Sequence, residues 1–440
     1  MSKSGSAVKV QELKRIRAFA AAIAVGLSVS VIEMGALGAI DASTAATFGG
    51  RITGVTFLFS ALLALAAIFA IFTYSNGTRG PSYSAAAIVI GVAIAGLMNM
   101  GLLILQIEAG DYTPYLWLWI SLVSWSCWTL FTLRRRGVWE RIPQPKKFAA
   151  GVFLTGVLAV ANFAYTQIYK PYAQPSKMVL TTSFGKPSIT PDGRSVAVPL
   201  KIHYANTGDV SLYIAGSLYQ VTARKAHASK TRTTKDWLRD IDNSQIYNSP
   251  MDLRRDVAVE ENDLIQSGPI ESPGVFIDPG DSGTETKIIE IPSSSTYDAL
   301  SARSEVIILR KDKAFLSNDF EYSEKHSWGE NYRHSIDAPD WVAAPKHEFV
   351  EYQAPITENS AILRAIRSSK DLTVWWVLDQ PTQGSEFGPY TTGTIASING
   401  EGRAPSSRDQ EQTMERYGLL YLTTEPVQES FGAVRKSATG

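Results

Sequence analysis

Five apolar stretches, residues 18–40, 52–74, 85–107, 115–133 and 148–169, follow one another in the first 171 positions, and nothing like them recurs later. Each approaches the roughly 20 apolar residues that an α-helix needs to cross a bilayer core. Four contain no charged side chain, and the first contains one, Glu33. Five such runs in succession predict a membrane bundle of five transmembrane helices.

Beyond residue 171 the period changes. Val196, Val198, Leu200, Ile202 and Tyr204 alternate with other residues, the pattern of a strand with unlike faces. An Asn206-Thr-Gly-Asp turn follows, and then a second strand-like stretch carrying Leu212, Ile214, Leu218 and Val221, which together predict a hairpin. Further strands are expected at 275–277, 287–291 and 305–309. Residues 176–316 thus read as an immunoglobulin-like β-sandwich, interrupted by a polar insertion at 226–268 with a short helix near Trp237. Residues 317–347 read as a linker and 348–425 as a smaller α+β unit. Within that unit, helices are expected over 358–368 and 408–417, with strands at 349–352, 372–378 and 419–423. Residues 426–440 read as a loose tail.

The flanks of the apolar runs orient the bundle, because Lys and Arg collect on the cytosolic side. Residues 1–17 carry Lys3, Lys9, Lys14, Arg15 and Arg17 and form a cytosolic tail. The connection after the first run begins with Asp41, the second has Arg79 and no acid, and the third has Glu108 and Asp111 and no base. The fourth, RRRGVWERIPQPKK, concentrates Arg134, Arg135, Arg136, Arg141, Lys146 and Lys147. Every connection points the same way: N-terminus inside, that basic loop inside, and all that follows residue 169 outside, in the plasma (inner) membrane. Basic loops also attract acidic lipid, but positive-inside retention alone accounts for this one. The first run also has features of a cleaved signal peptide, a basic lead and small residues near 36–38; its removal would leave the orientation of the rest unchanged.

Zero net charge conceals two unlike halves. Residues 1–171 hold 14 Lys and Arg against 6 Asp and Glu, whereas 172–440 hold 28 against 36. The single cysteine, Cys127, lies in the fourth run, so the rear part folds without disulfides. The rear part also lacks an Asn-x-Ser/Thr glycosylation site, which fits a bacterial envelope.

Inside the runs, Glu33 is the one ionisable group, and an intramembrane carboxylate is by default a functional candidate. The plainer reading ends the first helix early, or keeps Glu33 protonated and bonded to a neighbouring helix. Ala87, Gly91, Ala95 and Asn99 recur every four residues, a narrow ridge for close helix packing that ends in one amide. Trp117, Trp119, Trp125 and Trp128 suit an interfacial belt on a lipid-facing helix.

Little else carries chemistry. Gly280-Asp-Ser-Gly283 spells the tetrapeptide around a trypsin-like nucleophile, but Pro279 and the two glycines make it a turn. His326, Glu330, His334, Asp337 and Asp340 lack compact metal-ligand spacing and read as a solvated linker. Trp375 and Trp376 must face opposite sides of a strand; core packing explains them first, and a platform for a sugar ring or peptide second. No nucleotide-binding, kinase or metalloprotease motif occurs. No cofactor, metal or nucleic acid is called for, and the oligomeric state is left open.

Three functional classes therefore remain. The first is a multi-pass membrane protein that presents the outer β-rich part to an envelope protein or glycan. The second is a transporter or channel component using Glu33 and Asn99, and the third an envelope enzyme with its site in the outer part.

Overall fold

The structure is a computed structural model. It describes residues 3–45, 47–75, 84–138, 176–228, 233–246, 258–316, 347–379, 391–399 and 414–439, together with isolated positions 151, 158, 161, 165, 327 and 342. The chain forms two compact units. One comprises Met1–Pro175, Asp312–Phe315 and Thr357–Ser369; the other comprises Ser176–Lys311, Leu316–Ile356 and Lys370–Gly440.

The first unit contains four long apolar helices: α1 (Lys3–Thr44), α2 (Phe48–Ser75), α3 (Ser84–Ala109) and α4 (Tyr115–Arg135). Each is long and apolar enough to cross a membrane. Large apolar side chains such as Phe59, Leu62 and Phe69 stay exposed on α2, as suits a helix surface in contact with lipid. The fifth apolar run is described only at 151, 158, 161 and 165, and Arg141, Lys146 and Lys147 lie outside the described residues.

Glycines set the helix spacing. A Cβ at Gly54 of α2 would sit 2.3 Å from the Ala42 backbone nitrogen of α1, and one at Gly91 of α3 would sit 2.4 Å from Ala67 Cβ of α2. Small residues at a crossing let backbones approach and gain dispersion contact, which drives helix association where no hydrophobic effect operates. The small-residue ridge on α3 accordingly faces the bundle, with Gly91, Ala95 and Asn99 buried. At its far end α4 stops at Gly137, whose φ of 66° a residue with a Cβ rarely adopts.

α1 continues past residue 40, so Glu33 lies about three turns from its end and is buried rather than interfacial. The tryptophan belt is also only half realised. Trp117 and Trp128 are exposed, but Trp119 is buried, and Trp125 is half-buried with its ring against Gly26 and its Nε1 donating to the Ala22 carbonyl. An indole N–H in an apolar surrounding has to find an acceptor, and on this helix two of them find it inside the bundle.

The β-rich part contains β1 (Met178–Phe184), β2 (Ser188–Ile189), β3 (Ser195–Asn206), β4 (Leu212–Ala228), the helix α5 (Thr234–Ile246), β5 (Ala258–Gly268), β6 (Phe276–Ile277), β7 (Ser282–Pro292), β8 (Ala299–Arg310), β9 (Ala314–Leu316) and β10 (His347–Glu358). The helix α6 (Ala361–Ile366), β11 (Lys370–Asp379), β12 (Thr391–Asn399), β13 (Leu420–Thr423), β14 (Val427–Ser430) and the helix α7 (Phe431–Thr439) complete the chain. All strand pairs given by register are antiparallel. In one sheet β3 pairs with β1, β2 and β7; in another β4 and β8 lie side by side, flanked by β5, β6, β13 and β14. These two sheets share one core, to which β3 sends Val196, Val198, Leu200 and Ile202, and β8 sends Leu300, Val306 and Ile308. The third sheet has the order β12-β11-β10-β9.

The hairpin expected at Asn206 does not form. β3 and β4 belong to different sheets, and the turn between them is a corner. Asn206 builds it: its Nδ2 donates to the Val210 and Ile277 carbonyls, and its Oδ1 accepts from the Gly208 N–H. A buried amide that satisfies three backbone groups holds the chain where it changes sheets. The Asp278–Gly283 tetrapeptide region is a turn, as expected, with Gly280 at φ 83° and the Asp281 N–H bonded to the Asp278 carbonyl.

The terminal segment is not loose. β14 pairs with β8, and α7 buries Phe431 and Val434 in the shared core. The segment is too short for its periodicity to stand out, and its order comes from those two anchors. Two positions of the predicted linker are also buried. Ser327 exchanges bonds with Phe349, and Val342 packs with Phe349, Trp375 and Val377. The His326, Glu330, His334, Asp337 and Asp340 group lies outside the described residues.

Candidate functional site

The helix expected over 358–368 is realised as α6 (Ala361–Ile366), but it is grouped with the membrane helices rather than with the strands on either side of it. β10 and β11 pair in register down to Ile356 and Lys370, so residues 357–369 are the tip of that hairpin. Ala361, Ile362, Leu363, Ala365 and Ile366 join the buried cluster of the bundle, while Arg364 is exposed. A helix of six residues has almost no stability of its own, because nucleation costs more than one turn returns. Its contacts must hold it.

Asp41, fully buried on α1, supplies the principal ones. Its Oδ2 accepts from Ser360 Oγ and its Oδ1 from the Ala361 N–H, both at 2.5 Å, and the Ile362 N–H lies 3.4 Å from Oδ2. Ser360 is the N-cap, extended at φ −104°, and its Oγ also accepts from the Leu363 N–H. The free N–H groups at the start of α6 are therefore met by one serine and one carboxylate from another helix, an arrangement favoured both by the unpaired donors and by the sign of the helix dipole. At the other end, Thr113 Oγ1 donates to the Ala365 carbonyl at 2.7 Å. Thr113 also lies 3.1 Å from Gln106 Oε1, whose Nε2 donates to the Asp111 carbonyl. The partly buried ion pair of Arg367 with Glu358, at 2.6 Å, closes the segment.

Deeper in the bundle, Glu33 of α1 accepts from the Trp119 indole of α4 through Oε1, while its Oε2 is buried without a hydrogen-bond partner. Trp119 also stacks on Tyr115, ring centroids 5.8 Å apart. Asn99 of α3 is fully buried; its Nδ2 donates to the Ala95 carbonyl at 2.8 Å and reaches Ser30 Oγ at 3.4 Å. Arg51, the first cation after Glu33 in sequence, is turned to the Ala45 carbonyl instead.

At the opposite end of α4, Arg135 lies over the Phe131 ring at 4.4 Å and Arg136 over Phe19 of α1 at 3.9 Å. In the β-rich part, Trp375 is buried and donates to Glu351 Oε2 at 3.1 Å. Trp376, on the other face of β11, is half-buried and meets Tyr352 edge to face at 5.6 Å. The structure thus brings Glu33 and Asn99 into one bundle interior and leaves Trp376 as the accessible member of its pair. Asp41 and Thr113 carry no motif of their own. The usable signal was a helix-capping serine, Ser360, at the head of the apolar run AILRAI, whose buried face had no partner nearby in the chain.

No protein family matches the chain, and no curated protein matches its sequence. Two solved structures align with parts of it. The ApaA protein of Bordetella pertussis has 10% identity and a TM-score of 0.16 over 32% of this chain and 84% of that one. The sporulation control protein Spo0M of Bacillus subtilis has 10% identity and a TM-score of 0.19 over 60% of this chain and 94% of that one. Scores this low bear on neither fold nor function.

Proposed function

We propose that this is a multi-pass plasma-membrane protein that binds or senses an envelope protein or glycan with its β-rich part, outside the cell, and couples that event to its membrane bundle through residues 357–369. The observation that carries the reading is the Asp41 carboxylate capping α6. The tip of a β-hairpin is held by α1, so a force or shift along β10 and β11 reaches the bundle through a short element that is hydrogen-bonded at both ends.

The same contact supports five crossings and the orientation. α4 ends beside Phe19, near the start of the apolar part of α1, whereas α6 sits beside Asp41 at its finish. A chain that leaves α4 at one end and supplies 357–369 at the other is in keeping with one further crossing of about 30 Å of hydrocarbon. Residues 148–169 are the apolar run available for it. The positive-inside rule, applied to Arg134, Arg135 and Arg136, supports reading the β-rich part as outside the cell. The two sheets that share a core are in keeping with an immunoglobulin-like sandwich. The Trp376–Tyr352 pair is the aromatic surface we assign to ligand contact.

Labelling of single cysteines in intact spheroplasts, in a Cys127→Ser background, tests the arrangement. Asp192→Cys, in an exposed turn of the β-rich part, reacts with a membrane-impermeant maleimide, and Arg135→Cys reacts only after permeabilisation. The opposite pattern overturns the reading.

A further inference from the structure

Among the described residues, the buried oxygens of the bundle without a hydrogen-bond partner include Glu33 Oε2 and Asn99 Oδ1, which can only accept, and the hydroxyls of Ser126 and Thr129 on α4, which can also donate. The Glu33 and Asn99 side chains are 7% and 0% exposed. The Asn99 amide is oriented by its bond to the Ala95 carbonyl, which can only accept, so the nitrogen must point there and the oxygen elsewhere. Ser30 relates the two groups. Asn99 Nδ2 reaches its hydroxyl, and Ser30 and Glu33, three residues apart on α1, lie on one helix face. Glu33 Oε1 is already engaged by Trp119.

We propose that Glu33 and Asn99 form a proton-binding pair within the membrane bundle, in which a proton on Glu33 Oε2 is donated to Asn99 Oδ1. The step is the transfer of one proton from hydronium to a carboxylate; an O–H bond of the hydronium breaks, leaving water, as the carboxyl O–H bond forms. One proton then satisfies both lone acceptors and removes a charge from an apolar medium, while Trp119 continues to donate to Oε1. Without it the site holds a carboxylate with a single N–H partner and an amide oxygen with none, both unfavourable in hydrocarbon. The titratable and charged groups on the surrounding elements are Lys3, Lys9, Glu12, Lys14, Arg15, Arg17 and Asp41 on α1, Arg51 and Tyr74 on α2, Glu108 on α3, Tyr115, Cys127, Arg134 and Arg135 on α4, and Arg364 on α6. Among the described residues none bonds to Glu33, so no fixed cation does the work of the proton. The site stands independently of what the β-rich part binds.

Infrared difference spectra of the full chain in lipid nanodiscs, recorded while pH is changed, test the pair. The wild type shows the carbonyl stretch of a protonated carboxylic acid that disappears on raising pH, and Glu33→Gln abolishes that band. Asn99→Leu moves it to higher frequency, because the acid loses its acceptor. Glu33→Gln retains an oxygen for Trp119 and gains an N–H for Asn99, so it mimics the protonated state and assembles. Its melting temperature is flat with pH where that of the wild type falls as pH rises. A band that survives Glu33→Gln, or its absence from the wild type at every pH, overturns the proposal. So does a melting temperature raised by sodium over choline in the wild type and not in Glu33→Gln, which would make the ligand a metal cation.

Discussion

Asp41, near the end of the long apolar helix α1, accepts a hydrogen bond from Ser360, 319 residues further along the chain. Both groups are fully buried or nearly so, and the carboxylate has a second donor in the Ala361 N–H. One short element is held at its N-terminus by α1 and at its C-terminus by Thr113, from the connection between α3 and α4.

Asp41→Ala leaves the Ser360 hydroxyl and the Ala361 N–H buried without an acceptor. A cost of about 1–3 kcal/mol is expected for each group left unsatisfied, so α6 loosens while the long helices persist. Hydrogen exchange read by mass spectrometry in nanodiscs shows faster exchange across 360–367 and unchanged exchange in α3. Uniform protection in both segments would show that the cap does not hold α6.

Thr113→Val removes the bond to the Ala365 carbonyl at nearly constant volume and is expected to cost about 1 kcal/mol. Because Thr113 and Asp41 grip the same six-residue helix, the double variant loses less than the sum of the singles, with a coupling of about 0.5–3 kcal/mol. A double-mutant cycle on thermal unfolding reads the coupling directly, and strict additivity would mean that the two contacts act on separate elements.

Gly54→Val places a side chain where the backbone of Ala42 already lies, and backbone can yield only by moving α1 away from α2. A loss of about 1–3 kcal/mol or more is expected. Gly35, whose Cβ would meet nothing within 4 Å, is the matched control, and Gly35→Ala should melt like the wild type. Equal melting of the two variants would deny the close crossing.

Tyr204 has its phenol pushed above the ordinary value near 10, first by burial and then by its hydrogen bond to the Glu271 carboxylate. A folded-state value above the unfolded one means that the neutral phenol is favoured in the fold. That stability is complete below pH 10 and is lost as the pH climbs beyond it. Tyr204→Phe removes this part of the alkaline slope. An unfolding-against-pH profile for the variant that matches the wild type above pH 10 would contradict the assignment.

Trp375 and Trp376 separate structure from recognition. Trp375→Ala empties a buried site and should cost about 3–5 kcal/mol. Trp376→Ala should leave melting nearly unchanged while it abolishes cosedimentation of the full-length protein with insoluble envelope material. Equal retention by wild type and Trp376→Ala would remove Trp376 from the ligand surface.

How much of this could be read in advance depended on the range over which each signal acts. The four apolar helices were legible because a bilayer crossing is a local property of about 20 residues. β3 was legible because alternation has a period of two and its buried positions, Val196 to Tyr204, keep it throughout. The Asn206 corner was misread as a hairpin because a turn sequence reports a change of direction and not whether the strands on either side pair. Trp119 and Trp125 were misread as belt residues because an indole shows its preference for an interface in its type, whereas its acceptor, Glu33 or the Ala22 carbonyl, lies on another helix.

By itself, then, the chain determined which segments are apolar enough for a membrane, which alternate as strands, and which end of the bundle gathers positive charge. These are sums over neighbouring residues. Tertiary structure alone decided that Asp41 would meet Ser360, that Asn99 and Glu33 would share one interior, and that a six-residue helix would belong with the membrane helices. The bonds of Asp41 with Ser360, Thr113 with Ala365 and Glu33 with Trp119 each join a buried donor to an acceptor scores to hundreds of positions away, and no local pattern records which distant group will supply the partner.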